Sequence, residues 1–334
     1  MPTYRIADLV VRMTCGGRTA KQAQPYLITE DLTPDVEISI TPEQIEKAKP
    51  MNPTLSDDEW EYILSATAFY RALIRHDGLM LHASAILYQD RAYLFSAPSG
   101  TGKSTHTKLW QKEFGKENVL ILNDDKPAIR RIGERFLAFG TPWSGKYDIS
   151  IPVGVPIQSI CFLERAEENT IERLSTRESL TNLISQTLHR LSDDDLDLLF
   201  DMLSLLLKEI PVFRLKCNIS PDAAHLAERA MSGGSRRKLP QDPETRRYFV
   251  RDGYTLRIRA GSNVIVCLDD DRFIGLTTLN ESGVLLFRLL ENGAYFSNLT
   301  AALQNEYGIR KELANADILR FLTRLTELDI IGAE

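Results

Sequence analysis

The chain has 334 residues and a formal net charge of −6, with 43% hydrophobic and 26% charged residues, a balance that sets aside disordered, collagen-like and low-complexity architectures. Its length suits about two domains. The charge is uneven: Lys plus Arg against Asp plus Glu runs 26 to 32 up to Met231 and 14 to 14 from Ser232 onward, so neither part has the positive excess of a general nucleic-acid binder.

In chain order, Tyr4–Cys15 alternates and predicts one strand, and a Pro-rich irregular stretch follows to about Ser56. Ser56, two acidic residues and a stripe at Trp60, Ile63, Leu64, Thr67, Tyr70 and Ile74 predict a capped amphipathic helix of about five turns. Leu79–Tyr88 and Arg91–Ser96 predict strands joined at Gln89-Asp90. A glycine-rich loop, a helix over His106–Phe114 and a buried strand over Val119–Asn123 come next. Ala128–Ile132 and Arg135–Phe139 predict a hairpin about Gly133-Glu134, followed by a strand at Ile157–Leu163. Helices are expected at Arg177–Thr187, Asp193–Glu209 and Pro221–Met231, with a strand at Pro211–Lys216.

Residues 232–245, with Gly-Gly, two prolines and one large apolar residue, read as a linker between domains at 1–231 and 246–334. Beyond it come short strands (Tyr248–Val250, Leu256–Arg259, Val264–Leu268, Phe273–Leu276). Three helical stripes close the chain: Val284/Phe287/Leu290, Leu299/Ala302/Leu303/Tyr307 and Ile318/Leu322/Leu325. Cys15, Cys161, Cys217 and Cys267 are far apart, form no C-x-x-C pair and lie in apolar runs, so they read as buried free thiols. With no signal-like N-terminus and no apolar run near the ~20 residues that cross a bilayer, a cytoplasmic location without membrane partners is expected.

The sharpest motif is Ala97-Pro-Ser-Gly-Thr-Gly-Lys-Ser-Thr105, which matches G-x-x-x-x-G-K-[ST] except that Ala97 replaces the first Gly. A strand runs into it and a helix runs out, the setting in which backbone N–H groups cradle phosphate at a helix N-terminus. Lys103 would reach the β- and γ-phosphates and Ser104 would bind Mg²⁺. Asn123-Asp124-Asp125, at a strand end ~20 residues on, offers carboxylates for metal and base chemistry, although the same residues make good turns. His82 alone reads as a core histidine. Thr141-Pro-Trp-Ser-Gly-Lys146 is either a loop that closes over substrate or a packed turn. Asp193–Asp195 read as helix-start acids, and His76, His106, His189 and His225 show no metal spacing.

Leu81-His82, Ala97–Thr105 and Asn123–Asp125 together resemble the catalytic domain of HPr kinase/phosphorylase. More closely they resemble its relatives without the HPr-recognition apparatus, where SGTGKSTHTKLW, the acidic pair and GTPWSGK recur. The likeness covers roughly residues 1–231. It implies an α/β P-loop kinase domain of HPr kinase/PEP carboxykinase type with a mixed sheet, using ATP and Mg²⁺. Carried over, Ser99, Gly100, Thr101, Gly102, Lys103, Ser104 and Thr105 hold the nucleotide. Asp124 is the base with His82 as its partner, Lys103 is catalytic, and Ser104 with Asp125 serves the metal. Thr141, Trp143, Ser144 and Lys146 form a substrate loop. Ala97, Thr105 and the missing Gly-rich signature depart from the bifunctional enzymes, so phosphorolysis and HPr itself are not implied.

Residues 248–334 resemble PqqD-like domains on Arg272–Gly283, the helix end Leu289–Gly293 and the closing Leu319–Ile331. This implies a small α+β winged-helix-like domain whose partner is a precursor peptide, its leader added as a strand near Val264–Leu276. Asn280 would cap the first helix and Gly293 would end it. A DNA reader is the competing idea, with Arg246, Arg247, Arg251, Arg257 and Arg259 clustered, but the neutral charge counts against it. The joint expectation is an ATP-dependent kinase for a Ser or Thr of a ribosomally synthesised precursor peptide, with peptide-modifying enzymes as further partners. The alternatives are a kinase of a small molecule or free amino acid, and a non-catalytic nucleotide-gated peptide chaperone.

Overall fold

A computed structural model of the chain describes residues 1–30, 32–187, 191–232, 239–259, 262–269, 272–327 and 330–334. It divides into two compact units, Met1–Gly234 and Ser235–Glu334.

The first unit opens with β1 (Thr3–Ile6) and β2 (Leu9–Thr14) rather than one long strand. Ala7 and Asp8 take φ of 50° and 61°, the left-handed pair of a two-residue hairpin, and nothing glycine-like marks the turn in the sequence. The stretch expected to be irregular holds α1 (Gly17–Ala23), β3 (Leu27–Ile28), β4 (Val36–Ser39) and α2 (Pro42–Ala48), and the four strands form a small sheet in the order β3-β1-β2-β4. Helix α3 (Asp57–Ile74) starts where the sequence placed it, on a Ser56–Glu59 capping box. It packs against α1, β4 and the elements that follow, and it buries Trp60, Tyr62, Ser65, Ala66, Phe69, Tyr70, Leu73 and Ile74 while leaving Ile63 exposed.

The main sheet uses β5 (Gly78–Met80), β6 (Ala83–Tyr88), β7 (Arg91–Ser96), β8 (Val119–Asn123), β9 (Ala128–Ile132), β10 (Arg135–Phe139), β11 (Gly154–Arg165), β12 (Thr170–Arg173) and β13 (Val212–Cys217). Its helices are α4 (Lys103–Phe114), α5 (Thr176–Ser185), α6 (Asp193–Glu209) and α7 (Pro221–Met231). The strand path is β5-β9-β10-β11-β7-β6-β8, with β13 added to β11 and β12 to β13. Only β11 with β7 and β11 with β13 run parallel, so the sheet is mixed. One face buries Leu183 of α5 and Leu199, Leu203 and Leu206 of α6, while the other buries Trp110 of α4 and Ala224, Ala227 and Met231 of α7.

The expected strand Leu79–Tyr88 breaks at Leu81-His82. Before the break β5 pairs with β9, and after it β6 pairs with β7 and β8, so the chain changes sheet partner at His82.

The second unit holds β14 (Arg247–Val250), β15 (Tyr254–Arg259), β16 (Ser262–Asp269), β17 (Arg272–Leu279), α8 (Glu281–Glu291), β18 (Ala294–Tyr295), α9 (Phe296–Tyr307), α10 (Lys311–Glu327) and β19 (Ile331–Ala333). The strands form two sheets, β18-β14-β19 and β15-β16-β17. Asn280 Oδ1 accepts the Gly283 N–H at 2.9 Å to cap α8, and Gly293 beyond its end has φ 72°.

Among the described residues no helix is long and apolar enough to cross a membrane. Cys15, Cys161 and Cys217 are free thiols, of which Cys161 is fully buried and the other two only partly. The side chain of Cys267, the whole of His189 and linker residues 233–238 lie outside the described residues.

Candidate functional site

The glycine-rich loop leaves the end of β7, beside the parallel strand β11, and enters α4. Its first half is a turn in which the Thr101 N–H donates to Pro98 O at 3.2 Å. Gly100 and Gly102 have φ of 79° and 120°, values that exclude ordinary side chains, so these two positions need glycine even where space is open. Gly102 is the N-cap of the twelve-residue α4 and no side chain caps that end. The first helical N–H groups therefore face outward at the positive end of the helix dipole. Arg165, at the end of β11, donates to the carbonyls of Gly100 and, at 3.1 Å, Thr101. Ser99, Ser104 and Thr105 keep access to solvent.

Lys103 is buried at 8% exposure. Its Nζ donates to Ala97 O at 3.0 Å and lies 3.1 Å from His82 Nε2. Burial pushes its pKa down, against the pull of the Asp125 and Asp124 charges.

His82 Nε2 also lies 3.4 Å from Asp125 Oδ1, whose other oxygen accepts from Lys126 Nζ at 2.5 Å. Burial pushes the Asp125 carboxyl up, but the hydrogen bond from His82 and the Lys126 ammonium outweigh it and bring it to about 2. Asp125 is thus ionised throughout the neutral range.

The acidic pair divides differently from the carried-over roles. His82 meets Asp125, not Asp124. Asp124, at 6% exposure, turns to Ser84, whose Oγ donates to its Oδ1 at 2.7 Å, and Ser84 in turn touches Thr107 Oγ1 of α4 at 3.2 Å. The reason is local. Asn123 Oδ1 accepts the N–H groups of Asp125 and Lys126 at 3.0 and 2.8 Å, a turn that ends β8 and swings Asp125 away from the strand. Asp124 keeps the strand's direction and faces its neighbour β6.

The loop expected to close over substrate is mostly packing. Trp143 is 0% exposed, stacks on Phe69 at 4.9 Å and donates its Nε1–H to Ser65 Oγ at 3.2 Å. Thr141 and Ser144 are buried too, and Asn123 Nδ2 donates to Thr141 O at 3.0 Å. Of the four named residues only Lys146 is exposed, near the ring of the exposed Tyr147. The loop still reaches the site through Gly145. A Cβ there would sit 3.0 Å from Asp125 Cβ, and its N–H and C=O are held by Tyr62 and Gln22.

Among the described residues no group of three or more His, Cys, Asp or Glu side chains could hold a metal unaided. Asp124 and the Ser104 backbone are linked through one network, since Thr107 Oγ1, which touches Ser84, also donates to the Ser104 carbonyl at 3.2 Å. One carboxylate and one hydroxyl completed by phosphate oxygens is a donor set that suits Mg²⁺. The sequence reading overlooked Ser84, Lys126, Arg165 and Gln186. Ser84 had a signal, lying two residues from His82 in a strand; Arg165 and Gln186 had none, because only the sheet order and the docking of α5 bring them in.

The family model for SynChlorMet cassette protein ScmC matches residues 53–231, and that for Coenzyme PQQ synthesis protein D (PqqD) matches residues 265–331. No curated protein sequence matches the chain. Among solved structures it is similar to the Hpr(Ser) kinase/phosphatase from Coxiella burnetii, with 9% identity and a TM-score of 0.27, over 45% of this chain and 95% of that one.

Proposed function

The chain belongs to the SynChlorMet cassette protein ScmC family, and we propose that it is an ATP-dependent kinase that phosphorylates a Ser or Thr hydroxyl of a precursor peptide held by its second unit. The observation that carries the reading is the gathering of Lys103, His82 and Asp125, at 3.1 and 3.4 Å, beside a glycine-rich loop that opens an uncapped helix. Such a helix start accepts a polyphosphate on its N–H groups, and Lys103 exchanges Ala97 O for a phosphate oxygen. Ser104 and Asp124 would hold Mg²⁺, which neutralises phosphate charge. Asp125, already ionised, accepts the acceptor's proton as the hydroxyl oxygen bonds to the γ-phosphorus and the bond to the ADP oxygen breaks. Arg165 keeps the loop carbonyls turned outward.

The PqqD match over 265–331 supports a peptide as partner. β16 has neighbours on both sides, so within the expected region near Val264–Leu276 a leader would add to the edge strand β17, with β15 as the other edge. Covalent linkage of the two units then makes delivery intramolecular, at an effective concentration of about a millimolar.

The test is incubation with ATP, Mg²⁺ and a candidate precursor peptide, read by mass spectrometry. A gain of one phosphoryl group on the full peptide, much reduced on a leaderless one, is expected. No ATP binding by the wild-type protein in equilibrium dialysis would sink the kinase reading, and equal phosphorylation of the leaderless peptide would sink the leader role.

A further inference from the structure

The register that pairs β5 with β9, from Gly78 opposite Arg130 to Met80 opposite Ala128, runs on through the strand break at His82. The Leu81 N–H donates to Pro127 O at 3.4 Å and the Ala83 N–H to Asp125 O at 3.1 Å, and Ala85 opposite Asn123 keeps the same register where β6 meets β8. These bonds set Lys126 opposite His82, as they set Asp124 opposite Ser84, its hydrogen-bond partner at 2.7 Å. The peptide of Lys126 is held at both ends. Asn123 Oδ1 accepts its N–H at 2.8 Å, and its carbonyl accepts from Thr141 Oγ1 at 2.9 Å and from the Tyr70 hydroxyl. Asn123, Thr141 and Tyr70 are all fully buried, so the backbone is fixed by groups that water does not reach, while the Lys126 side chain keeps 30% exposure. Its Nζ donates to Asp125 Oδ2 at 2.5 Å. Burial lowers the pKa of Lys103 and the nearby Lys126 charge lowers it further, so the two ammonium groups are close enough to feel each other.

We infer that Lys126 is a second cation for the transferred phosphoryl group, leaving Asp125 for a γ-phosphate oxygen when the triphosphate binds. The inference rests on the proposed nucleotide site and adds a catalytic residue to it. Both lysines wait on acceptors that a phosphate oxygen can replace, Lys103 on Ala97 O and Lys126 on Asp125 Oδ2. The move also makes room for the acceptor. Asp125 Oδ1 faces His82 and Oδ2 faces Lys126, so both oxygens are engaged until the ammonium departs and frees one for the incoming hydroxyl. Charge favours the same step. Asp124 and Asp125 repel a polyphosphate, and a second ammonium beside them offsets that repulsion where negative charge gathers on the phosphoryl oxygens. No bond to Lys126 forms or breaks; it contributes hydrogen bonds and charge.

The experiment is titration calorimetry of the full chain with ATP and with ADP, each with Mg²⁺ and without peptide. Lys126→Met and Lys126→Gln should weaken ATP binding by about 10-fold or more and leave ADP within about 2-fold, because ADP lacks the group that the ammonium meets. Lys126→Arg should keep most of the wild-type preference, and unchanged ADP binding shows that the site is folded. The loss should persist at ~0.5 M salt, where unpaired charges act over only a few ångströms. With a precursor peptide that the wild type phosphorylates, Lys126→Met should lower kcat by about 100-fold or more. Equal losses for ATP and ADP in both variants, no loss for either nucleotide, or a loss that salt removes overturns the inference even in an active kinase. A fall in kcat with the ATP preference intact also overturns it, and makes Lys126 a tether for Asp125. A selective loss of ATP in a protein that phosphorylates no peptide upholds the inference and overturns the proposed function instead. A wild type that binds neither nucleotide overturns both.

Discussion

Trp143 decides between two meanings of the loop at 141–146, and its replacement by Ala separates them. The indole is fully buried, stacks on Phe69 at 4.9 Å, lies 5.5 Å from Tyr70 and spends its N–H on Ser65 Oγ. Truncating a buried Trp forfeits the transfer free energy of the ring and leaves a cavity against α3, a loss of about 4 kcal/mol. Trp143→Phe keeps a ring against Phe69 and loses one hydrogen bond and some volume, a loss of about 1–2 kcal/mol. In a unit of this size these correspond to falls in Tm of about 12 °C and 4 °C. Differential scanning calorimetry reads both. Nucleotide affinity, measured below the transition, should change little in Trp143→Phe, because the ring never meets ligand. If Trp143→Ala keeps wild-type stability while nucleotide affinity falls sharply, the ring is a stacking platform and the packing argument is wrong.

Other consequences can be checked in the same protein. Asp125→Asn should lower phosphotransfer by about 100-fold or more with ATP binding retained, whereas Asp124→Asn should raise the Mg²⁺ concentration needed; the reverse pattern would restore Asp124 as the base. Burial holds the His106 imidazole down to about 4 from 6.5. The unfolded chain therefore binds that proton more readily, so the contribution of His106 is full above pH 6.5 and is lost as pH falls toward 4, by about 3 kcal/mol in all. All three tryptophans, Trp60, Trp110 and Trp143, lie in the first unit, so fluorescence-monitored urea midpoints follow it alone, and His106→Asn should flatten their acid decline. Arg165→Gln removes both bonds to the loop carbonyls and should weaken nucleotide affinity by about 3–10-fold; an unchanged affinity would make the contact incidental.

Local signals in the sequence placed elements well where a cap or an apolar run is self-sufficient. Ser56 and Glu59 start α3, Ser192 starts α6 at Asp193, Asn280 starts α8, and the hairpin about Gly133 needs only its own residues. The burial face of α3 was less legible. The stripe through Ile63, Leu64 and Thr67 looks apolar, but the helix lies between several elements, and Tyr62, Ser65 and Phe69 face inward instead. The N-terminal stretch hid two helices and two strands because its prolines sit at helix starts, such as Pro42 behind Thr41, where the missing N–H costs nothing.

The sequence by itself determined the chemistry on offer: a Gly-Lys-Ser loop between strand and helix, an acidic pair after a buried strand, a histidine before the loop, and an acidic first part joined to a neutral second one. Tertiary structure alone decided the pairing. The strand break at Leu81-His82 and the Asn123 turn bring His82 to Asp125 and leave Asp124 with Ser84. Sheet order brings Arg165 to the loop, and the docking of α5 brings Gln186 to the imidazole. A motif states which groups are near one another along the chain, whereas a hydrogen bond depends on angles and distances of a few tenths of an ångström, and those are set by contacts between segments far apart in sequence.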